Sequence, residues 1–344
     1  MNKQFDVAVV GATGAVGRQM TEVLAQRNFP AGELYPLASK RSIGKKITFG
    51  KREIPVCDLE DFDFSRVQIA LFSAGGGVSE KFAPQAADAG CVVVDNSSHF
   101  RYEDDIPLVV TEVNPQKTAD YKNRGIVANP NCSTMQLLVA LKPLYDAAGI
   151  TRINAATYQA VSGAGNRATD ELAAQASALL SGATPDNNRQ DNIFPARIAF
   201  NVIPHIDVFQ DNGYTREEMK MVWETNKIMD DNAILLNATA VRVPVFYGHG
   251  IAAHIETREK ISAGKARELL SFVPGVCVID EHASGGYPTP AEHAAGNDEV
   301  FVGRIREDIS HPLGLNLWIV SDNVRKGAAL NAVQITELLA AKYL

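Results

Sequence analysis

Short apolar runs and longer mixed stretches alternate along the first part of the chain. Phe5 to Val10 is an apolar run that ends in glycines, and Arg18 to Arg27 carries Met20, Val23 and Leu24 at helical spacing, so a strand followed by a helix is predicted. Leu34 to Ala38, Val67 to Ser73, Cys91 to Asp95 and Gly125 to Ala128 repeat the short buried-strand pattern, several of them separated by helical stretches such as Ser79 to Ala89. Each crossover of this kind lays a helix on the sheet, which makes the sheet parallel and covers both of its faces. The prediction is an α/β protein with a Rossmann-like, doubly wound parallel sheet.

Beyond about Asn129 the texture changes. Ser133 to Ala148 reads as a helix, and longer strand candidates follow at Arg152 to Val161, Ala238 to Val245, Gly250 to Thr257, Val300 to Arg306 and Leu315 to Ser321. Their spacing suits an α+β domain with a mostly antiparallel sheet. Helices are predicted at Ala168 to Leu180, Arg216 to Met229 and Gly264 to Phe272, and Gly182 to Asp191 is the most loop-like stretch. Lys326 to Tyr343 is amphipathic, with Ala329, Val333, Leu338 and Leu339 apolar, and is expected to return to the first domain. The domains expected are therefore residues 1–130 with 324–344, and residues 131–323.

Composition narrows the class. The chain has 344 residues, 46% hydrophobic and 21% charged, and 33 Lys plus Arg against 40 Asp plus Glu leave a net charge of −7. Two domains of ordinary size fit that length. A nucleic-acid partner is not expected, since phosphate neutralisation needs a surplus of cations. No apolar stretch approaches a bilayer span, and Met1 to Val10 holds no apolar leader, so neither a membrane nor export is expected and a cytoplasmic location is. Cys57, Cys91, Cys132 and Cys277 are too few and too scattered for a disulfide framework or a zinc ribbon, and no histidine pair has metal-site spacing, so no metal is expected.

Gly11-Ala12-Thr13-Gly14-Ala15-Val16-Gly17 joins the first strand to the first helix. Gly11 and Gly14 can turn tightly and bring N–H groups to a pyrophosphate while Gly17 lets helix and strand approach; the alternative is a glycine turn that serves sterics alone. At the end of the next strand, where an NAD binder places a carboxylate for the ribose 2′-OH, stand Ser39, Lys40, Arg41 and Ser42, with Lys45 and Lys46 beyond. Cations and hydroxyls there suit a 2′-phosphate, hence NADP(H), unless the segment is only a solvated basic loop.

Asn129-Pro130-Asn131-Cys132-Ser133-Thr134 puts a cysteine at a predicted helix start, where unpaired N–H groups and the helix dipole favour the thiolate. The other cysteines sit in or beside apolar strand-like segments and read as packed thiols. A catalytic thiol wants a base, and Gly248-His249-Gly250 offers one on a glycine-flanked turn between strands, an imidazole that could take the thiol proton and later relay protons. Arg101 lies beyond a strand end, Arg242 can grip a carboxylate with its forked guanidinium, and Glu217 and Lys220 share a face of a predicted helix. An exposed intrahelical ion pair is the plain reading of that last pair.

Together with Tyr158-Gln159-Ala160-Val161-Ser162-Gly163-Ala164-Gly165, Phe200-Asn201-Val202-Ile203-Pro204 and Ser321-Asp322-Asn323, these segments resemble the aspartate-semialdehyde dehydrogenase family in order over nearly the whole chain. The Lys-Arg-Ser loop and compact length look more like its shorter, Gram-positive-type branch. The resemblance implies that Cys132 attacks the carbonyl of L-aspartyl 4-phosphate, or the semialdehyde in reverse, that His249 is the acid–base catalyst and that Gln159 and Asn131 orient the intermediate. It implies Arg242 for the substrate α-carboxylate, Glu217 for its α-ammonium, and Arg101 and Lys220 for phosphate. Gly11, Thr13, Gly14, Ala15, Val16, Gly17, Ser39, Arg41, Ser42, Ser162, Gly163 and Asn323 would contact NADPH. It further implies an NADP-binding first domain, a catalytic and dimerisation second domain, a homodimer or homotetramer, and a place in lysine, methionine, threonine and isoleucine biosynthesis. An N-acetyl-glutamyl-phosphate reductase shares the fold and the thiol chemistry but would leave Glu217 unexplained. A non-catalytic NADP-binding paralogue would have no use for both Cys132 and His249.

Overall fold

The computed structural model describes residues 3–183 and 192–344. The loop expected at Gly182 to Asp191 therefore lies outside the described residues from position 184 onward. The chain forms two compact units, Met1–Asn131 with Gly327–Leu344, and Cys132–Lys326.

The first unit opens with β1 (Phe5–Val10), α1 (Ala15–Gln26) and β2 (Ala31–Ala38), followed by a small hairpin of β3 (Lys46–Phe49) and β4 (Arg52–Pro55). Then come β5 (Cys57–Asp58), β6 (Ile69–Phe72), α2 (Gly76–Asp88), β7 (Val92–Asp95) and β8 (Ile126–Ala128). The main sheet runs β5-β2-β1-β6-β7-β8 and every pairing in it is parallel. The chain leaves β1 toward one edge and later returns to its other side, so β1 borders the switch point at which open sheets of this kind bind ligands. Strand residues Val7, Val9, Leu71 and Val94 form one core with Met20, Val23 and Leu24 of α1 and with Val333, Ile335 and Leu339 of the last helix, Asn331–Lys342.

Two departures have clear causes. Lys45 and Lys46, expected in a basic loop, border or enter the hairpin, because the two-residue alternation buries Ile47 while leaving Lys46 and Thr48 outward. The single amphipathic helix expected at Lys326 to Tyr343 instead starts with a wide turn over Arg325–Leu330. Ala329, Leu330, Ala332 and Val333 are all buried there, more than one helical stripe can turn inward. Asn331 pins the junction: its amide donates to Val109 O at 2.8 Å and Asn129 Oδ1 at 2.6 Å and accepts the Thr111 N–H at 3.1 Å.

The second unit contains α3 (Cys132–Ala148), β9 (Ile150–Gln159), α4 (Asn166–Leu180), α5 (Arg216–Met229), β10 (Leu235–Arg242) and β11 (His249–Thr257). It continues with α6 (Ala263–Ser271), β12 (Val276–Val278), β13 (Val300–Glu307) and β14 (Gly314–Ser321). Its sheet runs β10-β9-β11-β14-β13-β12, antiparallel through the middle with a parallel pairing at each edge. β10 stops at Arg242, short of the expected Val245, since Pro244 has no N–H to extend a ladder. Along β11, Ile251, Ala253 and Ile255 point inward while Ala252, His254 and Glu256 point out. Ser133 to Leu141 of α3 are buried on every side, which makes it the central helix of this unit.

Candidate functional site

Register and side-chain parity assemble the second unit's site. Gln159 pairs with Arg242 across β9 and β10, while Gly250 of β11 pairs with Tyr158, so Gln159, Arg242 and His249 stand side by side at one end of the sheet. Each has the parity of the inward residues of its strand, and their exposures are 1%, 6% and 0%. Beyond β9 the chain turns through Val161–Ala164, which is why the strand ends before Val161 and presents Ser162 and Gly163 in a tight turn. A Cβ on Gly163 would lie 3.0 Å from Arg242 Nη1 and 3.4 Å from His249 Cε1, so a larger residue here would press on both side chains.

His249 accepts the Ala160 N–H on Nδ1 at 3.0 Å, and its Nε2 is buried with no hydrogen-bond partner among the described residues. Accepting at Nδ1 leaves the proton of the neutral ring on Nε2. Burial, and then the positive charge of Arg242, lower the imidazole pKa to about 3, against smaller opposing effects of Glu217 and the Gly248 backbone. Arg242 donates to Ala160 O at 2.8 Å, so the backbone of one residue orients both side chains. Burial pulls the guanidinium pKa down while Glu217 and Cys132 act in the opposite sense.

Cys132 is the first residue of α3, half-buried, with no acidic residue in the first turn to oppose a thiolate. Gln159 Nε2 donates to Ser133 Oγ at 2.9 Å and Glu217 Oε1 at 3.2 Å, linking the residue after the thiol to α5. The start of α5 is set by a capping box between Thr215 and Glu218, and Glu218 also accepts the Ala240 N–H of β10 at 2.9 Å. That anchorage buries Glu217 and Lys220, whose side chains are only 7% and 13% exposed and meet at 3.0 Å. The exposed surface pair expected from helical spacing is thus replaced by a buried one, since the helix end is tied down on the sheet. Asn323 trades hydrogen bonds with Ser162 at 3.2 and 2.9 Å and accepts the Gly248 N–H at 3.0 Å, holding the turn before His249.

The first unit holds the glycine turn. A Cβ on Gly17 would lie 2.3 Å from Gly11 O, and one on Gly11, at φ +82°, 2.8 Å from Ser73 O. Gly14 heads α1 without a side-chain cap, and the first turn contains no acidic residue, so its N–H groups suit a pyrophosphate. Thr13 and Ser42 hydroxyls meet at 3.3 Å; Ser39 and Arg41 are exposed beside them in sequence. These residues fit a dinucleotide phosphate arm. Arg101 is 6% exposed and donates to Asn96 O at 3.0 Å, within a loop organised by buried Asp95, which accepts from Ser79 Oγ, Ser97 N and Ser97 Oγ at 2.7, 3.0 and 2.6 Å. Asn131 is buried at this unit's boundary.

Sequence reasoning missed several contributors. Ser133 has no signature of its own, and Asp95 matters only through hydrogen bonds. Gly75-Gly76-Gly77 did carry a signal, glycine density between an apolar strand and a helix, and the turn after β6 touches the first one through Ser73. Of the remaining cysteines, Cys91 is buried and its thiol is pushed up to about 12 by that burial, while Cys57 and Cys277 are half-buried. Among the described residues no group of three metal-ligating side chains occurs, and no helix is long and apolar enough to cross a membrane.

A nucleotide-binding sheet in one unit, and in the other a half-buried thiol with a buried imidazole and guanidinium, define a semialdehyde dehydrogenase architecture. The model for the NAD binding domain of semialdehyde dehydrogenases matches residues 6–121, and that for their dimerisation domain residues 141–326. The chain belongs to the aspartate-semialdehyde dehydrogenase family, oxidoreductases of amino-acid biosynthesis. It is 60% identical to the aspartate-semialdehyde dehydrogenase of Legionella pneumophila, over 100% of this chain and 98% of that protein. The Bacillus subtilis enzyme is 47% identical over 98% of both. A crystal structure of aspartate semialdehyde dehydrogenase II complexed with ASA from Vibrio cholerae superposes with a TM-score of 0.97 at 57% identity, covering both chains fully. These matches favour the aspartate enzyme over an acetylglutamate-type reductase.

Proposed function

We propose that the protein reduces L-aspartyl 4-phosphate to L-aspartate 4-semialdehyde with NADPH through a thioester on Cys132, releasing phosphate, and runs the reverse reaction when supplied with semialdehyde and phosphate. The convergence of His249, Arg242 and Gln159 at one end of the sheet is the observation that carries this reading. The Cys132 thiolate, favoured by the start of α3, adds to the acyl carbonyl. The Nε2–H of His249 donates to the oxygen as its charge grows, and Gln159 and Asn131 orient the tetrahedral species. Collapse expels phosphate to Arg101 and Lys220 and leaves the thioester. Bound NADPH supplies the hydride that reduces it.

Arg242 takes the α-carboxylate and Glu217 the α-ammonium, so the substrate charges each meet an opposite one. Residues 1–130 with 324–344 form the cofactor domain in this reading, with Gly11, Thr13, Gly14, Ala15, Val16 and Gly17 at the pyrophosphate and Ser39, Arg41 and Ser42 at the 2′-phosphate. Ser73 and Gly75 to Gly77 extend that surface. Residues 131–323 form the catalytic and dimerisation domain, and Ser162, Gly163 and Asn323 are its cofactor-binding residues in this reading. The product feeds lysine (by diaminopimelate), methionine, threonine and isoleucine synthesis. A homodimer or homotetramer in the cytoplasm is expected; free cysteines suit a reducing compartment. The test is NADP reduction with aspartate semialdehyde: turnover that requires phosphate supports the reading, and none with phosphate present refutes it.

A further inference from the structure

The segment from Phe200 to Phe209 has no part in the chemistry above, yet it grips two residues of the site. Ile203 exchanges both backbone hydrogen bonds with Arg242, at 2.9 and 2.8 Å. Asp207 then takes a left-handed backbone, φ +68°, which side chains other than glycine, asparagine and aspartate adopt at a cost. Its Oδ1 accepts the Val208 N–H at 2.8 Å, and its Oδ2 accepts Lys220 Nζ at 2.7 Å.

Lys220 is therefore held by two carboxylates, Asp207 at 2.7 Å and Glu217 at 3.0 Å. Burial alone would lower the lysine pKa, but the charge of Glu217 and the hydrogen bond and charge of Asp207 outweigh it and hold the group above its ordinary value. Lys220 and Glu217 by themselves cancel. Asp207 adds one negative charge beside that pair and takes a share of Lys220, while Arg242, which feels the charge of Glu217, brings a positive one. The result is a separated pair, negative around Glu217 and positive at Arg242, complementary to an α-amino acid zwitterion. Lys220 has three N–H donors, two of them used here, so one remains for an anion.

We propose that Asp207 is a positioning residue that determines specificity: by sharing Lys220 it leaves more of the Glu217 charge for a substrate ammonium than Lys220 alone would, and so selects amino-acid semialdehydes over aldehydes that lack the amine. This rests on the assignment of Glu217 and Arg242 to the substrate in the reading above.

The experiment compares wild type with Asp207→Asn, which tolerates the same backbone and keeps an acceptor, and with Asp207→Gly, which tolerates that backbone and has no side chain. Aspartate semialdehyde and succinic semialdehyde, its analogue without the amine, are each assayed with NADP and phosphate. Both variants should raise KM for aspartate semialdehyde by about fivefold, the upper range for a partly exposed charge pair, with kcat little changed. Turnover of succinic semialdehyde and KM for phosphate should not worsen, because the lost charge repelled anions. An active wild type whose preference for the amine-bearing substrate survives in both variants would overturn the role of Asp207 alone. Equal losses on both aldehydes, or a raised phosphate KM, would also overturn it, since displacement of Lys220 would then be the cause. A wild type inactive on aspartate semialdehyde would overturn the enzymatic reading and this inference with it.

Discussion

The backbone N–H of Ala160 donates to Nδ1 of His249 at 3.0 Å, and the carbonyl of the same residue accepts from Arg242 at 2.8 Å. One residue just beyond a strand thus holds a neutral imidazole and a cation together, and the cation helps keep the imidazole neutral. A histidine fixed in this way is set to donate from Nε2 rather than to take up a proton.

Acid stability follows from that arrangement. The folded pKa of His249, about 3, lies below the ordinary value of 6.5, so between those limits the unfolded chain binds a proton that the folded protein refuses. The stabilising contribution is complete above the upper limit and is lost as pH falls toward the lower one. By pH 5 the loss should amount to roughly 2 kcal/mol. Urea unfolding at pH 7 and pH 5 should show a smaller drop for His249→Asn than for wild type; equal drops would contradict a buried neutral ring.

Cys132→Ala removes the nucleophile and leaves the glycine turn untouched. Semialdehyde-dependent NADP reduction should fall by at least about three orders of magnitude. NADPH binding, followed by fluorescence titration, should persist. Retained turnover would exclude the thioester route.

Arg41→Asp puts a carboxylate where a 2′-phosphate is expected. KM for NADPH should rise roughly tenfold or more while that for NADH changes little. Equal effects on both cofactors would remove Arg41 from 2′-phosphate recognition.

Gly163→Ala sets a methyl 3.0 Å from Arg242 Nη1 and 3.4 Å from His249 Cε1, and both neighbours are buried and hydrogen-bonded to Ala160. The site must shift by a few tenths of an ångström, and kcat/KM should drop on the order of tenfold to a hundredfold, since orientation is what is lost. Thermal unfolding should move little by comparison. An unchanged kcat/KM would show that the contact can relax freely.

The strands and helices that build both units are local in origin, and they fall within a few residues of where the apolar runs and helical periods place them. Boundaries shift where one residue's chemistry intervenes, as at Pro244 after β10. The β3 and β4 hairpin escaped notice because its alternation spans four residues a strand amid lysines, a signal too short to stand out. The reactive groups were legible for the same local reason: a cysteine at a helix start, a histidine between glycines and a glycine turn after a strand each announce their chemistry.

What the sequence by itself determined is the set of elements and the identity of the groups that can react. Tertiary structure decided what each group experiences. Helical spacing brings Glu217 and Lys220 together but is silent on burial, which depends on Glu218 reaching the Ala240 N–H of β10. The neutrality of His249 and the sharing of Lys220 with Asp207 depend on a strand partner and on a loop residue in a left-handed conformation, both distant along the chain. Charge and desolvation act through space, and a linear pattern does not contain those distances.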